Sequence, residues 1–169
     1  MLEANDPTTC AAALSIIPAV PDASGLACVW QALGHTHGAV RLEALHVLQQ
    51  LAVAGRLRQV DPALLAALTD EDMEVREGAL QVLAAFGNAE FLEHLLVLLD
   101  DDHPRVRESL VRLLKPFGRQ AIAPLLARLQ APHTSLRSKE TALCALAQLD
   151  GVPVAALVPF WERTLRDIY

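Results

Sequence analysis

From Leu65 to Leu129 one pattern occurs twice in succession: an apolar helical run, an acidic turn, Val-Arg-Glu, a second apolar run and Phe-Gly. The first copy reads LAALTDEDMEVREGALQVLAAFG and the second LLVLLDDDHPRVRESLVRLLKPFG. A repeat of this length is one pair of helices, too small to bury its apolar face alone. It becomes stable by stacking on its neighbours. The whole chain is constrained accordingly.

The second helix of each pair carries the register. Val40-Arg41, Val75-Arg76 and Val106-Arg107 open three of them. Apolar pairs follow at Ala44-Leu45, Ala79-Leu80 and Leu110-Val111, then a leucine at Leu48, Leu83 and Leu114. A fourth copy aligns with Lys139 in the arginine place, followed by Ala142-Leu143 and Leu146. Successive basic positions are 35, 31 and 32 residues apart. Apolar residues are 53% of the chain but aromatics only 4%, with Leu and Ala prominent. Both are strong helix formers, so the chain is expected to be all-α.

The 169 residues are expected to form a single repeat domain. Residues 1–22 are an N-terminal cap, with Asp6-Pro7 starting a short helix over Thr9–Ile17. Repeats follow over 23–57, 58–87, 88–118 and 119–151, and a C-terminal helix over 152–169. The first helix of the third repeat is expected to run from Asn88 to Leu99, and its second from Pro104 to Phe117. Pro124 and Pro159 fall inside predicted helices, where a proline removes a hydrogen bond and either bends or breaks the helix.

Arg41, Arg76 and Arg107 sit in the first turn of their helices, where the macrodipole disfavours a cation. Recurrence at an unfavourable place requires a partner, and the acidic turns offer one. Turn aspartates such as Asp72 and Asp102 are expected to cap the second helices and pair with arginines of adjacent units, forming a ladder along one edge. An anion site is the alternative use of these arginines.

Other chemistry is sparsely provided. His35, His37, His103 and His133 all fall in turns between paired helices, but stacked units lie on the order of 10 Å apart, too far to share one ion. His35 and His37 alone give two ligands where zinc takes three or four, so no metal or cofactor is expected. Cys10, Cys28 and Cys144 are odd in number and set among apolar residues, as buried thiols of a reducing compartment are. No phosphate loop, Gly-x-Ser-x-Gly or His-Glu-x-x-His is present. With a net charge of −6, the chain lacks the basic excess that a phosphate backbone requires. No apolar run reaches the roughly 20 residues of a membrane span, and the acidic N-terminus does not read as a signal peptide. A cytoplasmic location is expected.

The tetratricopeptide Trp, Gly and Tyr offsets and the ankyrin Thr-Pro-Leu-His are absent. The acidic turn followed by Val-Arg-x-x-Ala-Leu-x-x-Leu instead resembles the HEAT-like repeats common in bacteria, in their shorter form. The resemblance covers Ser24 to Leu149 and is closest in the second and third units. It implies a right-handed α-α superhelix of the ARM/HEAT type, with about four helical pairs between terminal capping helices. HEAT-repeat iron hydroxylases carry His-Glu ligand pairs; this chain has Glu93-His94 in the reverse order and no His-Glu. HEAT-like DNA glycosylases use a basic face that this acidic chain lacks. HEAT-like lyases that attach bilin pigments share the repeat type, although no residue here points to that activity.

The resemblance implies a non-catalytic protein-interaction scaffold, with the second helices lining the concave side. Between their buried positions fall Glu43, His46, Gln49, Glu77, Gln81, Glu108, Arg112, Glu140 and Thr141, the candidate partner-binding face. Glu77, Glu108 and Glu140 recur at nearly one helical place and form an acidic row, which also suits the helix dipole. The last helix holds Phe160, Trp161 and Tyr169, three of the chain's seven aromatics. A solenoid cap is normally polar outside. This apolar end is therefore expected to meet a second copy or an adjoining segment of a longer protein. An accessory or regulatory domain of a larger bacterial transporter or signalling protein is the alternative function.

Overall fold

The computed structural model describes residues 23–57, 59–152 and 154–166. The expected N-terminal cap and Tyr169 lie outside them. The chain divides into two compact units, Met1–Phe86 and Gly87–Tyr169. All regular structure among the described residues is helical.

The first unit contains α1 (Ala23–Ala32), α2 (Gly38–Val53), α3 (Pro62–Ala66) and α4 (Met73–Phe86). A 3₁₀ turn, Ala67–Thr69, extends α3. Asp61 caps α3, accepting from Ala63 N at 2.9 Å, and Pro62 at the first helical position has no N–H to leave unpaired. The core of this unit is the α2–α4 interface. Val40, Ala44, Leu45 and Leu48 from α2, and Val75, Ala79, Leu80 and Leu83 from α4, are all essentially inaccessible. These are the positions that the repeat alignment assigns inward.

The two long helices approach closely at Gly78. A Cβ there would lie 3.0 Å from Leu45 Cδ1 and 3.3 Å from Leu45 Cβ. Contacts between real atoms are rarely that short, so glycine is what allows the helices to close up.

The second unit contains α5 (Leu92–Leu95), α6 (Pro104–Leu114), α7 (Arg119–Gln130), α8 (Leu136–Gln148) and α9 (Val154–Arg166). The expected continuous helix over Asn88–Leu99 is replaced by a 3₁₀ turn (Ala89–Phe91), one turn of α5 and a 3₁₀ stretch (Leu96–Asp100). At three residues per turn Leu95 stacks on Leu98 and Leu96 on Leu99. All four are thereby buried at once, which 3.6 residues per turn does less well, and Val97 is left 51% exposed. The helix expected to end at Phe117 leaves α geometry at Leu114 and finishes in a 3₁₀ turn containing Pro116. Pro124 and Pro159, by contrast, sit inside unbroken helices.

Ser135 caps α8, accepting from Ser138 N at 3.0 Å. Helix α8 packs against α6, α7 and α9, with Ala142, Leu143, Ala145 and Leu146 buried. Across the two units Gly55, Gly87, Gly118 and Gly151 all have positive φ just beyond the second helices. A left-handed residue there stops a helix, and glycine adopts it without steric cost.

Candidate functional site

Three turns share one hydrogen-bond pattern. In each, the arginine reaches back from the first helical turn to carbonyls six and five residues earlier. Arg41 Nη1 donates to His35 O at 2.9 Å and Thr36 O at 3.1 Å. Arg76 Nη1 donates to Asp70 O at 2.8 Å and Glu71 O at 3.2 Å. Arg107 Nη1 donates to Asp101 O at 2.6 Å and Asp102 O at 3.3 Å. These carbonyls are what makes a cation tolerable at that end of a helix. The residue supplying the first of them also accepts from the backbone two positions on: His35 Nδ1 from His37 N, Asp70 Oδ1 from Asp72 N, and Asp101 Oδ1 from His103 N.

The ladder expectation needs its carboxylates reassigned. Arg41 Nη2 pairs with Asp70 Oδ1 at 2.7 Å, with Glu71 Oε1 at 3.6 Å. The hydrogen bond to Asp70 is the main cause that raises the Arg41 pKa. Asp72, expected both to cap and to pair, caps α4 through Glu74 N at 3.0 Å and leaves the pairing to Asp70. At α6 the cap is His103, whose Nδ1 accepts from Arg105 N at 3.3 Å, and Asp102 offers Arg107 its carbonyl. Asp70, two residues before the cap Asp72, is the one that reaches Arg41, because Asp72 is committed to its own helix.

The candidate binding face separates into several places. On α2, Glu43 is half-buried, with its carboxylate 3.5 Å from exposed His46. Gln81 is half-buried on α4. Glu77, expected in the exposed acidic row, is buried at 7% exposure. It lies in the run 75–80, buried throughout. Thr141, also expected outward, is 7% exposed and donates to Arg137 O at 2.9 Å.

Glu108, Arg112 and Glu140 are exposed and come together. They line a groove of about 380 Å³ between α6 and α8. Its other walls are Pro104, Arg107, Val111, Thr141, Cys144 and Gln148. Arg112 Nη2 donates to Ser109 Oγ at 3.0 Å, which orients it along α6. Val111 and Cys144 were expected inward rather than in a site, and Gln148 was not expected there. Their signal was present as the i, i+4 series Arg107–Val111, Glu108–Arg112 and Glu140–Cys144–Gln148, which places them on one face of each helix.

Cys144 departs from the buried-thiol expectation in being exposed, and Cys28 is half-buried; both are free thiols. Partial burial, and then the Glu140 carboxylate, push the Cys144 thiol above its ordinary range. Less thiolate is then present near neutral pH. Alkylation by iodoacetamide at pH 7.5, followed by peptide mass spectrometry, is expected to be slower at Cys144 than at a free peptide thiol. Glu140→Gln is expected to accelerate it.

His35 and His37 lie with ring centroids 5.4 Å apart, tilted by 42°. Among the described residues no group of three or more His, Cys, Asp or Glu is placed to hold an ion, and no helix is long and apolar enough to cross a membrane. At the end of the chain, Leu157 is buried, Phe160 and Trp161 are half-buried, and Val158 is 46% exposed on α9.

Comparison with known proteins agrees with this geometry. Residues 61–144 match the family described as HEAT repeats. The fold is similar to that of an engineered protein whose crystal structure comes from the Northeast Structural Genomics Consortium. The TM-score is 0.59 at 20% identity, covering 99% of this chain and 85% of that one. A second engineered protein from the same consortium gives 0.55 at 23% identity, covering 95% and 81%. Among curated proteins no match was found. Residues 61–144 are thus HEAT repeats, and the chain is a HEAT-like helical repeat protein of the all-α solenoid class.

Proposed function

We propose that this chain is a non-catalytic protein-interaction scaffold that receives a segment of a partner protein in the α6–α8 groove. HEAT repeats commonly mediate protein interactions, and their family is generally non-catalytic. The observation that carries the reading is the groove itself. It has an apolar strip at Val111 and Cys144 between charged rims at Glu108, Arg112 and Glu140. Polar groups around a small apolar floor orient a ligand and exclude water from its contacts. The free thiols of Cys28 and Cys144 fit a reducing, cytoplasmic setting.

The test is affinity capture with the intact chain, followed by binding measurements on groove variants. A partner using this groove is expected to bind the Glu108→Arg/Glu140→Arg double variant about tenfold or more weakly. Charge reversal at Glu43, on α2, serves as the control and is expected to leave binding unchanged. A partner insensitive to the groove substitutions and lost with the control is bound elsewhere.

A second reading is favoured by α9, where Val158 is exposed beside half-buried Phe160 and Trp161. Such a helix suits an adjoining domain or a second copy. It supports the alternative of an accessory domain in a larger bacterial protein. Light scattering distinguishes the two occupants: a concentration-dependent dimer that Val158→Glu dissolves supports self-association.

A further inference from the structure

The arginine of the third turn is held like its predecessors but differs on one side. Arg41 shows what the arrangement accepts. With Nη1 fixed by two carbonyls, its Nη2 takes the Asp70 carboxylate at 2.7 Å. Asp70 stands six residues before Arg76, the next basic position. For Arg107 the next basic position is Lys139, and six residues before it stands His133, which is exposed. The fourth turn, Ala131-Pro132-His133-Thr134-Ser135, contains no carboxylate. Arg107 Nη1 is committed to Asp101 O and Asp102 O, while Nη2 pairs with no carboxylate among the described residues. Arg107, half-buried, also lines the α6–α8 groove.

We infer that Arg107 is a carboxylate-binding position. It receives an aspartate or glutamate side chain of the docked segment, in the place that a carboxylate of the following turn holds at Arg41. This deepens the groove reading and rests on it for the identity of the ligand's carrier. Two carbonyls already orient the guanidinium, so less rotamer freedom is lost on binding. The charge-assisted bond is also stronger than a neutral one. Glu108 and Glu140 line the same groove and repel anions, while Arg112 offsets one of them. The balance favours a single carboxylate on an otherwise apolar or basic segment and rejects a polyanion.

The probe is sodium acetate, titrated into the full isotope-labelled chain against sodium chloride at equal ionic strength. The arginine Nε–Hε signals are followed by NMR. Acetate is expected to shift the Arg107 signal saturably, and chloride to leave it in place. His133→Asp supplies the missing carboxylate from within the chain. It is expected to abolish the acetate response and raise the melting temperature by about 1–3 °C. An Arg107 signal that moves no more than those of exposed Arg112 and Arg137 overturns the inference. So does an acetate response that persists unchanged in His133→Asp, or a variant no more stable than the parent. The titration needs no protein partner. Acetate binding without groove-dependent partner binding therefore counts against the scaffold reading alone, and the converse counts against Arg107 alone.

Discussion

Gly78→Val is expected to lower the stability of the chain by about 2–3 kcal/mol, one of the largest effects available from a single substitution here. The added Cβ alone meets Leu45 Cδ1 at 3.0 Å, Leu45 Cβ at 3.3 Å and Leu42 Cδ1 at 3.6 Å. Leu45 is 1% exposed, and its Cβ is fixed to the α2 backbone, so relief requires the two helices to separate. Valine then adds two branched methyl groups at the tightest point. The intrinsic helix preference for valine over glycine returns only a few tenths of a kcal/mol. Gly78→Ala adds that Cβ alone and is more nearly balanced, since about 1 kcal/mol of helix propensity offsets the small separation of α2 and α4 that it requires. Urea denaturation decides the matter: the valine midpoint should fall at unchanged slope while the alanine midpoint stays close to the parent's. Equal stability of Gly78→Val and the parent would show that α2 and α4 are not held at this distance.

Arg41→Ala is expected to cost about 1–3 kcal/mol. The side chains of Arg41 and Asp70 are 9% and 13% exposed, so neither behaves as a solvated surface ion. Truncation leaves the Asp70 carboxylate with only the Asp72 N–H and removes the donor shared by His35 O and Thr36 O. One term opposes this. Arg41 Nε is buried without a hydrogen-bond partner, and deleting it relieves a desolvation cost. Arg41→Met, which keeps the packing of the stem, is therefore expected to be milder than Arg41→Ala. Arg41→Lys is expected to restore little, because an ammonium cannot span two carbonyls and a carboxylate at once. A double-mutant cycle with Asp70→Asn should give a coupling of about 1 kcal/mol. The sign of the pH dependence follows from the raised Arg41 pKa. The contribution from the arginine's own protonation is fully present below its unfolded value and is lost only as pH rises through the folded one. Stability near neutral pH should therefore show no step from this cation. Additive single effects in the cycle would remove the ion pair from the account of how these two repeats are joined.

Both predictions concern the part of the molecule that was most legible beforehand. The inward positions of α2, α4, α6 and α8 could be read from spacing alone, because a buried stripe on a helix recurs at three and four residues whatever it packs on. The arginine places were legible for a similar reason. A cation recurring at the unfavourable end of a helix implies acceptors nearby, and the turn carbonyls supply them at Arg41, Arg76 and Arg107. Which carboxylate serves which arginine was not legible. Asp70 and Asp72 are two residues apart in one turn and chemically identical; backbone geometry alone assigns one to pairing and the other to capping.

The site was legible in fragments. Glu108, Arg112 and Glu140 belong to outward faces that helical periodicity identifies, and they meet in the α6–α8 groove. Glu77 occupies nearly the same helical place and is buried. Periodicity describes one helix at a time and is silent about how near the next one comes.

The amino-acid sequence by itself determined the helical class, the repeat and its register, the inward leucines and the glycines at which the second helices stop. All of these follow from local periodicity and backbone preference. The tertiary structure alone decided the distance between neighbouring helices. That distance opens the groove around Cys144 and seats Asp70 against Arg41. Each outcome depends on atoms brought together from different turns, and separation along the chain carries no information about their spacing.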